Sequence, residues 1–429
     1  MNYLYLYLVV FGLVMVLYMK RQRRVSHTHQ MQLQEAVETG MVEPPSLHPV
    51  VDPTRCMGSG ACANACPEKA LGVVNGKMTL INPAHCIGHG ACLAACPVEA
   101  IKLVFGSEKR GVEIPNISQE FETNVKGIYI AGELGGMGLI RKAAEQGRQA
   151  MDAIRKKAGP GADFDVVIVG CGPAGISAGL SAIEHKLRYK IVEQEDSLGG
   201  AVYHYPRQKI AMTAPVDLAI VGKTKFTDVQ KEKLLEFWLD VVAKTGLKIS
   251  FNERMEAIEK LGDHFVVTTS KGSCTCKTVL LSMGRRGTPR KLDVPGEAQP
   301  KVVYRLADPA QYAGQSVLVV GGGDSALEAA IALSEQPGTK VILSYRSSAF
   351  SRVKQKNRLC LDAQQKAGKL KVMLNSKVLE IFPEAVDIDG DGVIKRHRND
   401  IVIVCAGGLL PTPLLQKIGI QFDTKFGSA

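Results

Sequence analysis

A 12-residue pattern of three cysteines and a proline occurs twice in this chain, and it restricts the fold more than any other feature. Cys56-Met57-Gly58-Ser59-Gly60-Ala61-Cys62-Ala63-Asn64-Ala65-Cys66-Pro67 returns 30 residues on as Cys86-Ile87-Gly88-His89-Gly90-Ala91-Cys92-Leu93-Ala94-Ala95-Cys96-Pro97. Gly and Ala between the thiols let the backbone wrap closely around an inorganic centre and turn its amides toward sulfur. Eleven cysteines in 429 residues are too sparse for a secreted disulfide scaffold, and six of them fall in these two runs. That distribution points to metal held in a reducing compartment. The doubled C-x3-C-P spacing speaks against zinc.

Residues 50–105 resemble the two-cluster bacterial ferredoxins, whose motif is C-x2-C-x2-C-x3-C-P and whose last cysteine ligates the other copy's cluster. The resemblance implies a small α+β domain with two iron–sulfur clusters. One would take Cys56, Cys62 and Cys96, and the other Cys86, Cys92 and Cys66. The chain departs from the family at the second cysteine of each motif, where Ser59 and His89 stand. A serine hydroxyl deprotonates far less readily than a thiol, so Ser59 is a poor iron ligand. Imidazole can bind iron, and where it replaces thiolate the reduction potential rises. Three outcomes stay open: 3Fe-4S or labile 4Fe-4S clusters on three thiolates each, ligation by His89, or loss of one or both clusters.

Two glycine-rich turns follow, each between a buried-strand run and a helix pattern. Asp165-Val166-Val167-Ile168-Val169 leads into Gly170-Cys171-Gly172-Pro173-Ala174-Gly175, and a strand over 189–192 ends in Glu193. Glycines at this spacing let the backbone approach a pyrophosphate at a helix N-terminus, and the acid about 20 residues on accepts ribose hydroxyls. Gly170, Gly172, Gly175 and Glu193 are therefore candidate dinucleotide contacts, with Cys171 a small filler. The second copy follows Ser316-Val317-Leu318-Val319-Val320 as Gly321-Gly322-Gly323-Asp324-Ser325-Ala326, which nominates Gly321, Gly323 and Ala326. No acid ends its second strand at 340–344; Tyr345-Arg346-Ser347-Ser348 stands there, with Arg352 and Lys354 close behind. Cations without a carboxylate suit a 2′-phosphate, so Arg346 and Arg352 favour NADPH over NADH.

The order of elements over residues 120–429 resembles the thioredoxin-reductase-like flavoproteins. That resemblance implies an α/β fold with two Rossmann-like domains, FAD on the first turn and NADPH on the second. Gly199 and Gly200, after Leu198, would support the flavin. Leu281-Ser282-Met283-Gly284 marks the interdomain crossing, and residues 400–411 the return. Family chains finish with T-x-x-x-G-I-Y-A-x-G-D and a helix that cradles the flavin. Here the matching stretch lies upstream, as Thr123-Asn124-Val125-Lys126-Gly127-Ile128-Tyr129-Ile130-Ala131-Gly132-Glu133 with a helix over 139–154. The sequence thus reads as a circular permutation, which neighbouring domain termini allow. Gly132 and Glu133 join the flavin contacts, Glu133 standing where the family has Asp.

The expected organisation is a membrane anchor with a basic flank (1–24), a linker (25–50), the ferredoxin-like domain (51–105), the permuted part of the FAD domain (106–158), the FAD domain (163–284), the NAD(P)H domain (285–399) and the return segment (400–429). The anchor rests on residues 2–19, which carry no charge and would span about 27 Å as a helix, followed by Lys20-Arg21-Gln22-Arg23-Arg24. It predicts a single-pass membrane protein with its catalytic part in the cytoplasm. Aromatic content of 6% and a single Trp speak against base-stacking nucleic-acid recognition, and the net charge of +11 is otherwise spread along the chain. A homodimer is compatible with the sequence.

The dithiol reductases of the resembled family carry C-x-x-C beside the nicotinamide motif, and this chain has none. Cys274 and Cys276 read as buried fillers. The expected function is an NAD(P)H-dependent FAD/iron–sulfur oxidoreductase that exchanges electrons with a ferredoxin-like or other one-electron acceptor. The alternatives are a non-enzymatic iron or oxygen sensor and a disulfide reductase. No acid or base is nominated, because the protein's catalytic share is placing nicotinamide C4 against flavin N5. Residues 205–209 and 233–238 are further candidates for the cofactor face.

Overall fold

The computed structural model describes residues 2–427, except 39–42, 45, 46, 87, 89, 108–110, 137, 206, 208, 214, 286, 352 and 410. His89 and Arg352 thus lie outside the described residues.

Valine- and isoleucine-rich runs build two parallel-type sheets, because a strand covered on both faces needs apolar side chains on both. In the first sheet, Phe164–Val169 lies between Tyr189–Val192 and Gly272–Leu281, parallel to both. The far edge of Gly272–Leu281 takes the meander strand His264–Thr269 along its first half and Ile128–Ile130 along its second. In this register Ile128, Tyr129 and Ile130 stand opposite Val279, Leu280 and Leu281, so the upstream segment is a strand of this sheet. The helix Ile140–Ile154 follows it and packs on Pro173–Glu184. Its buried face, Ala143, Ala144, Gly147, Ala150, Met151 and Ile154, recurs at helical spacing. The strand Val112–Pro115 pairs with Phe422–Lys425 near the chain's other end, so residues from both flanks close this half.

The second sheet is five parallel strands in the order Val302–Val303, Ile401–Val404, Ser316–Val320, Lys340–Ser344 and Leu370–Met373. An antiparallel meander, Ser376–Ile381, Ala385–Gly390 and Val393–Arg398, adjoins it. Lys209 of the first half and Glu328 of the second pair at 2.9 Å across the junction.

The cysteine-rich module is two hairpin-like pairs, His48–Val51 with Ile101–Val104 and Leu71–Val74 with Lys77–Leu80. Its repeat is visible in the backbone: Gly60 and Gly90 (φ 75° and 79°) each start a one-turn helix, and Lys69 and Glu99 each take φ 49°.

Two expectations about the N-terminus do not stand. Among the described residues no helix is long and apolar enough to cross a membrane, which removes the spanning anchor and the membrane location built on it. Nor are residues 25–38 a tether. One helix, Asn2–Glu38, runs on through the basic residues and docks on the module: Val73 donates its N–H to His29 Nδ1 (3.0 Å), and Ala36 is buried. His48 is buried at the start of the first strand.

Candidate functional site

The one-turn helices Ala61–Asn64 and Ala91–Ala94 turn their cysteines inward, leaving Cys62 and Cys92 each 7% exposed. Two cavities result. Cys56, Cys62 and Cys96 line one, together with Ser59; Cys66, Cys86 and Cys92 line the other. Each therefore draws two thiols from its own motif and one from the other copy. Backbone N–H groups of Met78 and Ala100 donate to Cys56 Sγ (3.4 Å) and Cys96 Sγ (3.3 Å). Burial pushes the thiols of Cys62 and Cys86 above their usual value and that of Cys92 to about 11, with neighbouring sulfurs adding to each. Left alone, these thiols keep their protons at neutral pH. A cationic centre with amide donors already in place fits such a set, because it compensates the buried thiolates. Among the described residues no group of three or more His, Cys, Asp and Glu is gathered as for a single metal ion.

The first glycine turn gathers most of its expected partners. An ideal Cβ on Gly175 would stand 2.0 Å from Gly170 O, so only glycine lets the helix Pro173–Glu184 sit this close to the turn. Gly172 caps that helix, and a Cβ on Gly200 would lie 3.1 Å from Gly172 Cα. Gly199 (φ 105°) opens the turn that carries Gly200. Gly132 arrives from upstream, its ideal Cβ 3.2 Å from Ala174 Cβ. Gly132, Gly170, Gly172, Gly175, Gly199 and Gly200 thus surround one helix N-terminus. Glu193 stands beside them but is 5% exposed, and its carboxylate accepts from Cys171 N (2.7 Å) and Glu195 N (3.1 Å). It braces the turn's own backbone. Burial raises its pKa while the Cys171 N–H opposes the rise.

Glu133 is open to solvent yet crowded by protein, as a group on a cleft wall is. The crowding raises its pKa, and the Arg285 guanidinium opposes the rise. Arg285 donates to Glu113 O (3.1 Å), and burial lowers its own pKa. The Tyr205 hydroxyl is pushed up by burial, with the charges of Glu133 and Glu328 adding. Arg285 escaped the sequence reading; its place directly after the crossing at 281–284 was the available signal. Of residues 233–238, Trp238 is core rather than cofactor face, being 2% exposed.

At the second turn, a Cβ on Gly321 would lie 2.4 Å from Cys405 O and one on Gly322 2.2 Å from the Tyr345 ring, while Gly323 faces open space. Ala326 is fully buried. Arg346 is exposed just past Lys340–Ser344, next to Tyr345, whose ring stacks on Phe350 at 5.3 Å. Cys276 is fully buried, its thiol pushed up to about 12, so the sheet withholds it from thiol chemistry.

The model of the pyridine nucleotide-disulphide oxidoreductase family matches residues 167–427, well over half of the chain. The chain belongs to that family. A 4Fe-4S dicluster domain model matches residues 48–97. Ferredoxin–NADP reductase of Ignicoccus hospitalis is 32% identical over 237 residues, which is 54% of this chain and 71% of the relative. Ferredoxin–NADP reductases of Thermus thermophilus and Streptococcus sanguinis are 33% and 32% identical, and the chain spans only 54% and 53% of their length. Among solved structures, bacillithiol disulfide reductase from Bacillus cereus matches at TM-score 0.54 and 25% identity, covering 60% of this chain and 82% of that one. This member of the oxidoreductase family is an NAD(P)H-dependent flavoprotein whose cofactors are FAD, NADPH and iron–sulfur clusters.

Proposed function

We propose that this chain carries electrons between NADPH and a one-electron acceptor of the ferredoxin class, using FAD and two clusters bound in the same polypeptide. The observation that supports this best is the seating of the cysteine module against both dinucleotide halves. Leu103 lines the Cys66–Cys86–Cys92 cavity, and two residues on, the Phe105 ring closes against Gly136, at the end of the Glu133 turn. On the other flank Ala84 is buried in the core of the second half.

In this reading Cys56, Cys62 and Cys96 hold one cluster and Cys66, Cys86 and Cys92 the other, each by three thiolates. The turns at Gly170, Gly172, Gly175, Gly199 and Gly200, with Gly132 and Glu133 from upstream, hold FAD. Gly321, Gly323, Ala326, Arg346 and Arg352 hold NADPH. Bound flavin supplies the conversion between a two-electron hydride and single electrons. The chain's own part is to orient: amides face sulfur, the Arg285 cation faces Glu133, and buried strands fix both turns. The segment 106–158 acts as a permuted piece of the FAD domain.

The test is NADPH-driven reduction of a one-electron dye by the wild type and by a Cys56→Ala/Cys86→Ala double variant. The reading expects the double variant to lose most of the activity. FAD-dependent dye reduction at an unchanged rate would remove the clusters from the path.

A further inference from the structure

Hydrogen bonds join the second glycine turn to one set of thiols. Asp324, first residue of the helix Asp324–Ser334, accepts at Oδ1 from the Lys354 backbone N–H (2.9 Å) and from Asn357 Nδ2 (2.7 Å). Lys354 caps the helix Gln355–Lys366, and Gln355 donates its backbone N–H to His85 Nε2 (3.1 Å). His85 ends the 3-10 turn Pro83–His85, and the next residue is Cys86. A backbone N–H in the first turn of a helix has no partner within that helix, so this donor is met from another module. Ala84, one residue earlier, is 4% exposed within the core of the second half. The turn before Cys86 is thereby fixed to the same segment that holds Asp324.

We propose that His85 is a positioning residue that ties the Cys66–Cys86–Cys92 site to the nicotinamide half, so that a dinucleotide on the second glycine turn alters the surroundings of those thiols. The inference rests on the NADPH and iron–sulfur reading above. It separates the two cavities. The Cys56–Cys62–Cys96 cavity borders Val73, which is bonded to His29 of the N-terminal helix. That site is linked to Gln355 at one remove, through the Gln355 side chain and Glu35 of the same helix, so it should respond less to the dinucleotide.

Gln355→Pro removes the critical N–H with little other damage. Lys354 has φ −64° and ψ 137°, the extended conformation that proline requires of its predecessor, and proline is favoured at the first helical position. The Gln355 side chain also donates to Glu35 Oε1 (3.3 Å), so Gln355→Ala serves as the control that loses this contact and keeps the N–H. Electron paramagnetic resonance of the full-length, cluster- and FAD-loaded protein, with and without NADP+, reads the effect. The wild type and Gln355→Ala should show a shift in the signal of one cluster, and Gln355→Pro should lose it. A wild type without a shift, or a Gln355→Pro variant that keeps it, overturns the proposal. Hydrogen exchange on the wild type gives a second readout: NADP+ should slow the amides of residues 84–86 several-fold, and unchanged rates overturn the coupling. Iron and sulfide analysis of the same samples separates the two levels. Absent clusters would defeat the iron–sulfur reading, while hydrogen exchange still decides the coupling.

Discussion

Gly147→Ala sets local preference directly against the packing described above. In an exposed helix interior this substitution stabilises by about 1 kcal/mol, because alanine loses less backbone freedom on folding. Gly147 lies inside Ile140–Ile154, and its added Cβ would stand 2.1 Å from Ala174 O, 2.9 Å from Ala174 C and 3.1 Å from Ala174 Cα. All three are backbone atoms of the first glycine turn, so no side chain can swing aside. Relief requires the two helices to separate by about 1 Å, and overpacking of this kind costs roughly 1–3 kcal/mol or more. The clash outweighs the propensity gain, and the variant should be less stable by about 1–2 kcal/mol and bind FAD more weakly. Gly179→Ala is the comparison. Its nearest contacts are Ile191 Cδ1 (2.6 Å) and Leu247 Cδ1 (2.7 Å), side-chain ends that can move, so its cost should be smaller. Thermal unfolding and flavin retention on gel filtration read both. A Gly147→Ala protein that is more stable than wild type and keeps its flavin would refute the packing of the upstream helix on the turn.

Two further outcomes are expected. Burial works to raise the Asp165 pKa, but the Arg188 side chain and the backbone N–H groups of Arg188 and Gly159 outweigh it and hold the carboxyl below its ordinary value. Its stabilisation is therefore present above about pH 4 and lost as pH falls through the lowered pKa; Asp165→Asn should cost roughly 1–3 kcal/mol at neutral pH, with a gap from wild type that closes in acid, as thermal melts across pH would show. Arg346→Ala should raise the KM for NADPH about tenfold, equivalent to ~1.4 kcal/mol, and leave that for NADH unchanged; equal effects on both would remove Arg346 from 2′-phosphate recognition.

The parts legible in the sequence are those whose physics is local. Gly175 must be glycine because of an atom five residues away, and Val166 to Val169 advertise a strand buried on both faces. The strand Ile128–Ile130 was legible through the resemblance of residues 123–133 to the family's closing motif. What failed depended on distant partners. Hydropathy over residues 2–19 could not reveal a helix continuing to Glu38, nor residues 25–50 a docking held by His29 on Val73. Glu193 ends its strand as expected, and the bonds its carboxylate accepts from its own turn are ones that no spacing announces. His85 and Arg285 gain meaning only from Gln355 and Glu133, far away in sequence.

Anaerobic addition of NADPH to the fully loaded protein, followed by absorbance and electron paramagnetic resonance together, tests the shared electron path most directly. The account predicts that the flavin bleaches and that cluster signals change in the same titration, with Cys62→Ala and Cys92→Ala each removing a different part of the cluster signal. A flavin that bleaches fully while every cluster signal stays as it was would contradict it.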